Sequence, residues 1–296
     1  MLLLAVPAVG IPSLRNAQAQ SKEAEDSSDE GGEGEEESAA PDPNQPMVTA
    51  GGNYDIAHFP LSEVQRTLLI PEGGLELALE YSFDLQTKVA GSSTSDSFKT
   101  HTFDLFGRYG VGPTTNVLAE FIFDAAAPDG VPKSRDLNAG LEQAIVYDLL
   151  DARAGVSLSF PSEGDSTADI FIGLPIKYRI TDKIAVLGLE DILNLHVKKP
   201  DGASSTPDLI FSLAGEACPI PQLAVRLRLS LNLAAADFDQ KTLPVQLTVQ
   251  YTIDRQIDIG LDLIAKNLTP PSAPPGVKSL SALDNLGMGL FVRARL

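Results

Sequence analysis

From Pro71-Glu72-Gly73-Gly74 onward the chain alternates apolar and polar residues with a period of two, and no long segment carries the i, i+3, i+4 stripe of an amphipathic helix. The alternation predicts twelve strands, at 74–86, 99–111, 116–124, 136–147, 152–160, 169–180, 184–195, 208–217, 223–233, 243–253, 257–265 and 288–296. The later strands show it most plainly. In the ninth, Leu223, Val225, Leu227, Leu229, Leu231 and Leu233 share one face, and Arg226, Arg228, Ser230 and Asn232 share the other. In the eleventh, Ile257, Ile259, Leu261 and Leu263 oppose Asp258, Gly260 and Asp262. The expected fold class is all-β.

Alternation alone also fits a soluble β-sandwich with one wet face per sheet. The connections separate the two readings. After every even strand the link is tight: Gly112 to Thr115, Asp148 to Asp151, Thr181 to Lys183, Cys218 to Gln222, and Asp254 to Gln256. After the odd strands come longer links rich in Gly, Pro, Ser, Asp and Lys, such as Ala125 to Arg135 and Asn267 to Asn285. Short turns at one end and long loops at the other is the asymmetry of an antiparallel up-and-down transmembrane β-barrel. An even strand count puts both ends of the barrel on the short-turn side, as for a chain arriving from the periplasm. Tyr109, Tyr147, Tyr178 and Tyr251 each precede a short turn and are expected to form a periplasmic aromatic girdle, with Phe83, Phe123 and Phe160 near the opposite rim.

Residues 71–296 thus resemble the class of Gram-negative outer-membrane β-barrels, porin-like and without a specific family. The final strand, Gly289-Leu290-Phe291-Val292-Arg293-Ala294-Arg295-Leu296, is similar to the terminal strand that the barrel-assembly machinery of such bacteria recognises, although Leu296 stands where that class has Phe or Trp. The resemblance implies residence in the bacterial outer membrane among its lipids, assembly by that machinery and passage of small solutes. It specifies neither the solute nor the oligomeric state.

Composition adds the leader. Half of the net charge of −18 comes from Ser21 to Pro43, where ten acids face the single Lys22. This run reads as a self-repelling spacer. Residues 1–19, with the apolar Leu2 to Val9 and the small-residue pattern Ala17-Gln18-Ala19, are expected to be a signal peptide, and 20–70 an acidic, Pro-rich disordered periplasmic leader. The negative balance argues against nucleic acid as a partner. Cys218 is the lone cysteine; Pro219 and Pro221 beside it predict a turn and an incidental thiol.

Candidate chemistry lies on the inward polar face. The lumen-lining set is Glu76, Glu80 and Asp84 on strand 1, Lys177 and Arg179 on strand 6, Arg226 and Arg228 on strand 9, Asp258 and Asp262 on strand 11, and Arg293 and Arg295 on strand 12, with Glu120, Glu190 and Glu216 also expected to face inward. Acidic rows on strands 1 and 11 flank the basic row on strand 12. They either pair across the closing seam and hold the barrel shut, or stand apart as a charged constriction that selects polar solutes. The first outcome leaves a closed barrel serving as a structural or adhesive platform. The second leaves a passive channel or uptake porin. Enzymatic readings lack a motif: His58 precedes the barrel, His101 and His196 lie near loop ends, Ser157 and Ser159 on the inward face of strand 5 have no nucleophile motif around them, and no catalytic residue, cofactor loop or metal site is expected.

Overall fold

A computed structural model describes residues 56–87, 100–126, 133–199, 206–269 and 285–296, all within one compact unit, Pro41–Leu296. The expected signal peptide and the acidic part of the leader lie outside the described residues. Among these, fifteen ladder segments make twelve antiparallel strands, because two strands are split and one segment is a two-residue rung, Lys241–Thr242. We number them β1 (Leu75–Thr87), β2 (His101–Gly112), β3 (Thr115–Ala126), β4 (Arg135–Val146), β5 (Leu150–Ser159), β6 (Thr167–Gly173 and Ile176–Thr181), β7 (Ile184–Gly188 and Leu193–Lys198), β8 (Asp208–Ile220), β9 (Leu223–Leu233), β10 (Val245–Thr252), β11 (Ile257–Ala265) and β12 (Asn285–Arg295).

Each strand pairs with the next, and β12 returns to β1, with Glu76 opposite Arg295 and Ala78 opposite Arg293. The sheet therefore has no free edge, the one arrangement in which a large sheet satisfies its backbone in lipid. Leu75 N–H donates to the Leu296 carbonyl at 3.0 Å, so both barrel ends meet on the side of the tight turns.

The two faces differ as the alternation requires. Leu79, Leu105, Leu141, Leu213, Leu227, Leu229, Leu290 and Val292 point outward with 47–56% of their surface exposed. No helix among the described residues is long and apolar enough to cross a membrane; the strands supply the apolar belt. The inward positions instead hold charge: Glu76, Lys177, Glu216, Asp258, Asp262 and Arg295 are all buried.

Two features depart from a regular barrel. The split in β7 throws Leu189–Ile192 inward, with Leu189 at a φ of 56°, while β6 breaks beside it at Leu174-Pro175. The wall stays sealed, because Leu174 N–H donates to the Leu189 carbonyl at 2.9 Å and Ile192 N–H to the Ile172 carbonyl at 2.8 Å. Only glycine fits at 173, where a Cβ would stand 1.7 Å from the Glu190 carbonyl oxygen.

The second departure corrects the expectation that a disordered leader runs to residue 70. Residues 56–70 make two 3₁₀ turns, Ile56–His58 and Glu63–Gln65, and lie inside the short-turn end of the barrel. Val64 is 0% exposed, and Phe59, Arg66, Leu69 and Ile70 are also buried. We call this segment the strap. It joins β1 through Gly73, whose N–H donates to the Gly110 carbonyl at 2.9 Å. Gly110 is needed there, since a Cβ would stand 2.2 Å from the Pro71 carbonyl oxygen.

Candidate functional site: a charged lumen crossed by the strap

Of the two arrangements left open for the seam charges, the structure has them paired. Arg295 donates to Glu76 at 2.9 Å and to Asp258 at 2.5 Å, so the last strand is bridged to both neighbours. Arg108 adds a second partner for Glu76 at 3.0 Å. Arg293 does something the pattern did not anticipate: it reaches across to Glu63 of the strap at 3.2 Å.

The strap thereby completes an alternating network. Arg66 donates to both oxygens of Asp258, at 2.8 and 3.1 Å, and to Thr252 at 3.1 Å. Glu63 pairs with Arg66, lies 3.6 Å from Arg226, and accepts from Gln250 at 3.0 Å. Burial alone would raise the Glu63 carboxyl, but Arg66, Arg293, Arg226 and Arg295 overcome that and hold it well below the usual carboxylate range. Lys177 and Arg179 also serve the strap. Lys177 Nζ donates to the carbonyls of Glu63 and Arg66 at 2.8 and 2.7 Å, and Arg179 to that of Val64 at 2.8 Å.

Beyond the strap the lumen widens into two adjoining cavities, of about 360 and about 210 Å³, that share Phe106 and Glu120. The smaller is lined by Glu80, Asp104, Glu120 and Asp262 together with Arg226, Arg228 and Arg293. Glu80 stands directly opposite Asp104 on β2, and Asp262 accepts from Gln246 at 2.8 Å and from Thr248. The larger cavity is entered by the inward β7 segment, whose Glu190 pairs with Arg228 at 2.6 Å and whose Asp191 lines the space with Arg153 and Phe171. Asp84 sits toward the long-loop end, paired with Lys266 at 2.5 Å. The eleven charged positions picked from the alternation therefore all lie on the inner face, where the strap engages some and the cavities others.

Tyr109, Tyr178 and Tyr251 face outward near the tight turns, 45–49% exposed. Tyr147 departs from that ring: a bulge between Ala144 and Val146 changes its side, and its hydroxyl hydrogen-bonds Thr67 of the strap. Toward the other rim, outward-facing Tyr81, Phe103 and Phe123 form a contiguous stack, with centroids 4.9 and 5.2 Å apart. Phe83 joins this stack at 5.7 Å from Tyr81, and Phe160 is exposed at the end of β5.

The histidines sit among other partners. His101 Nδ1 is 2.6 Å from the Tyr81 hydroxyl, and His196 is bracketed by Asp169 at 2.9 Å and Asp208 at 3.4 Å. Among the described residues no cluster of His, Cys, Asp and Glu has the geometry to hold a metal ion. Cys218 corrects a reading made from its proline neighbours. It is not in a turn but in β8, 1% exposed, in a buried apolar cluster with Val64 of the strap, Ala185, Leu187, Ala214 and Ala224. The strap is the functional element that sequence reasoning missed, because its residues carry no period.

No protein-family model matches the sequence, and no curated protein matches it. Solved structures do. The COG4313 outer membrane channel from Pseudomonas putida F1 superposes with a TM-score of 0.50 at 15% identity, covering 82% of this chain and 100% of its own. The NanC porin gives 0.49 at 10% identity over 74% of this chain and 100% of its own. The KdgM porin gives 0.47 at 9% identity over 73% and 98%. At such identities the likeness concerns the fold, and the fold is that of an outer-membrane β-barrel.

Proposed function

We propose that the chain is a bacterial outer-membrane barrel that passes small polar solutes down their own gradient, with its short-turn end toward the periplasm and partly filled by the strap. The observation that carries this reading is the inversion of polarity: an apolar belt outside, and inside it a lumen of opposed charges that opens into cavities beyond the strap. A soluble protein gains nothing from an outer surface of Leu and Val around a charged interior, whereas a lipid-embedded channel requires it. The outward tyrosines near the tight turns and the Tyr81–Phe103–Phe123 stack then lie at the two membrane interfaces. Insertion by the barrel-assembly machinery, with the β12 strand as its signal, belongs to the same reading, as do an acidic leader in the periplasm and a non-enzymatic role.

Planar-bilayer conductance of the refolded protein tests it. Stepwise current whose ion selectivity changes in Arg293→Ala/Arg295→Ala is the expected result. A second reading, a closed barrel acting as a platform through its long connections, draws on the number of inward charges that already have partners. Silence under every condition, strap variants included, selects that reading over the channel. Recovery of the protein in a soluble fraction without detergent overturns both.

A further inference from the structure

We infer that the short-turn mouth of the barrel is a polypeptide-binding site, occupied here in cis by residues 59–70, so that the strap is a tethered ligand and not a structural strand. The inference rests on the channel reading only for its consequence, closure of the mouth; the site itself stands on contacts.

The wall reads the main chain of the strap. Lys177 and Arg179 donate to the successive carbonyls of Glu63, Val64, Gln65 and Arg66 at 2.7–3.2 Å. Asp148 accepts from Leu68 N–H at 3.0 Å, and Arg108 donates to the Leu68 carbonyl at 2.7 Å. Asn116, with its amide oriented to satisfy both groups, accepts from Ile70 N–H at 2.8 Å and donates to the Ile70 carbonyl at 3.0 Å. Side chains that read the carbonyls of the Glu63–Gln65 3₁₀ turn and then the amides and carbonyls of the residues after it recognise the main chain of a polypeptide that carries such a turn.

Register comes from three side chains. Glu63 enters the group of Arg226, Arg293 and Gln250, Val64 fills the apolar cluster around Cys218, and Arg66 forks onto Asp258. The ligand class is therefore a peptide that takes up a 3₁₀ turn with the order acid, apolar, any residue, arginine.

Nothing in the barrel ladder depends on this ligand. The wall closes through β1 and β12, and the strap's contacts from Glu63 to Leu68 are made by side chains of the wall rather than by strand pairing. A segment held in this way can leave and return while the sheet stays whole.

Cys218, buried under Val64, reports occupancy without reference to current. The experiment uses the full chain in detergent, with heat-modifiable migration to verify the folded barrel, and measures modification of Cys218 by a small maleimide. Val64→Asp, which drives the strap out of its apolar cluster, is expected to speed modification at least tenfold. A synthetic peptide of residues 56–70 added in trans is then expected to restore the slow rate, and the same peptide carrying E63Q and R66Q to need at least about tenfold more for the same protection, since both lost groups are charge-assisted anchors. Should Val64→Asp not fold, the full-length double variant E63Q/R66Q supplies the vacated mouth. Cys218 staying as slow as in the wild type in a folded variant, or no protection by the wild-type peptide, overturns the site. Peptide protection in a barrel that carries no current refutes the channel and leaves the site standing; current with no peptide protection does the reverse.

Discussion

Replacing Glu63 by Gln removes one charge from the strap and leaves the barrel wall intact, so its cost falls on docking alone. Glu63 lies 3.2 Å from Arg293 and 3.6 Å from Arg226, besides its contact with Arg66. At an effective dielectric of about 20, each of the Arg293 and Arg226 pairs has a Coulomb energy of about 5 kcal/mol. Desolvation of a largely buried carboxylate offsets several kcal/mol of that sum, and the Gln amide keeps part of the hydrogen bonding. A net loss of about 2–4 kcal/mol remains, which multiplies the undocked population by a factor of roughly 30 to several hundred. If Cys218 reacts only when the strap is away, its modification rate rises by the same factor. The assay is the time course of maleimide labelling at fixed pH, with heat-modifiable migration as the folding control. An unchanged rate in folded Glu63→Gln refutes the claim that Glu63 anchors the strap; a rise under twofold refutes the electrostatic magnitude.

The same carboxylate sets a pH window. Because docking lowers the Glu63 pKa, its contribution is fully present above the ordinary value near 4.5 and is lost as pH falls through the lowered docked value. Bilayer current per inserted barrel is therefore expected to rise as pH falls below about 4.5 in the wild type and not in Glu63→Gln; the same rise in both assigns the latch to another group. Gly173→Ala places a methyl against the Glu190 carbonyl, 1.7 Å away before any shift, and is expected to displace the inward β7 segment at a cost of about 1–3 kcal/mol, read as a lower melting temperature and an altered unitary conductance. Glu80→Gln/Glu120→Gln removes two acids from the lining of the cavities, and the reversal potential in a KCl gradient should move toward anions; no movement places the conduction path elsewhere.

Several elements were legible because their cause is local. A period of two needs only neighbouring residues, so Leu223 to Leu233 announces a strand with Arg226 and Arg228 on its inner face wherever that strand pairs. The alternation of tight and long links is equally local, and it implied an even strand number and a common side for both barrel ends. Closure of a twelve-strand sheet then brings β12 beside β1, so the position of Arg293 and Arg295 between the acidic rows of β1 and β11 followed from strand order, whereas their pairing did not. The inward break at Leu189–Ile192 was not read from the sequence: the alternation was carried through 184–195 although the adjacent acids Glu190 and Asp191 cannot both face the lumen in a regular strand, and the split at Gly188 with the positive φ of Leu189 resolves this. Cys218 was misplaced for a related reason, since Pro219 suggests a turn, while the ladder tolerates it through a shift between Ala217 and Ile220.

The sequence by itself thus determined the barrel, the tight-turn end at which its two ends meet and the charge of its lumen. The tertiary structure alone decided how the mouth is filled. The strap carries no period, and its anchors lie 192 residues away for Arg66 and Asp258 and 230 for Glu63 and Arg293. Charges so far apart in the chain become partners only after twelve strands have closed around the space in which they meet.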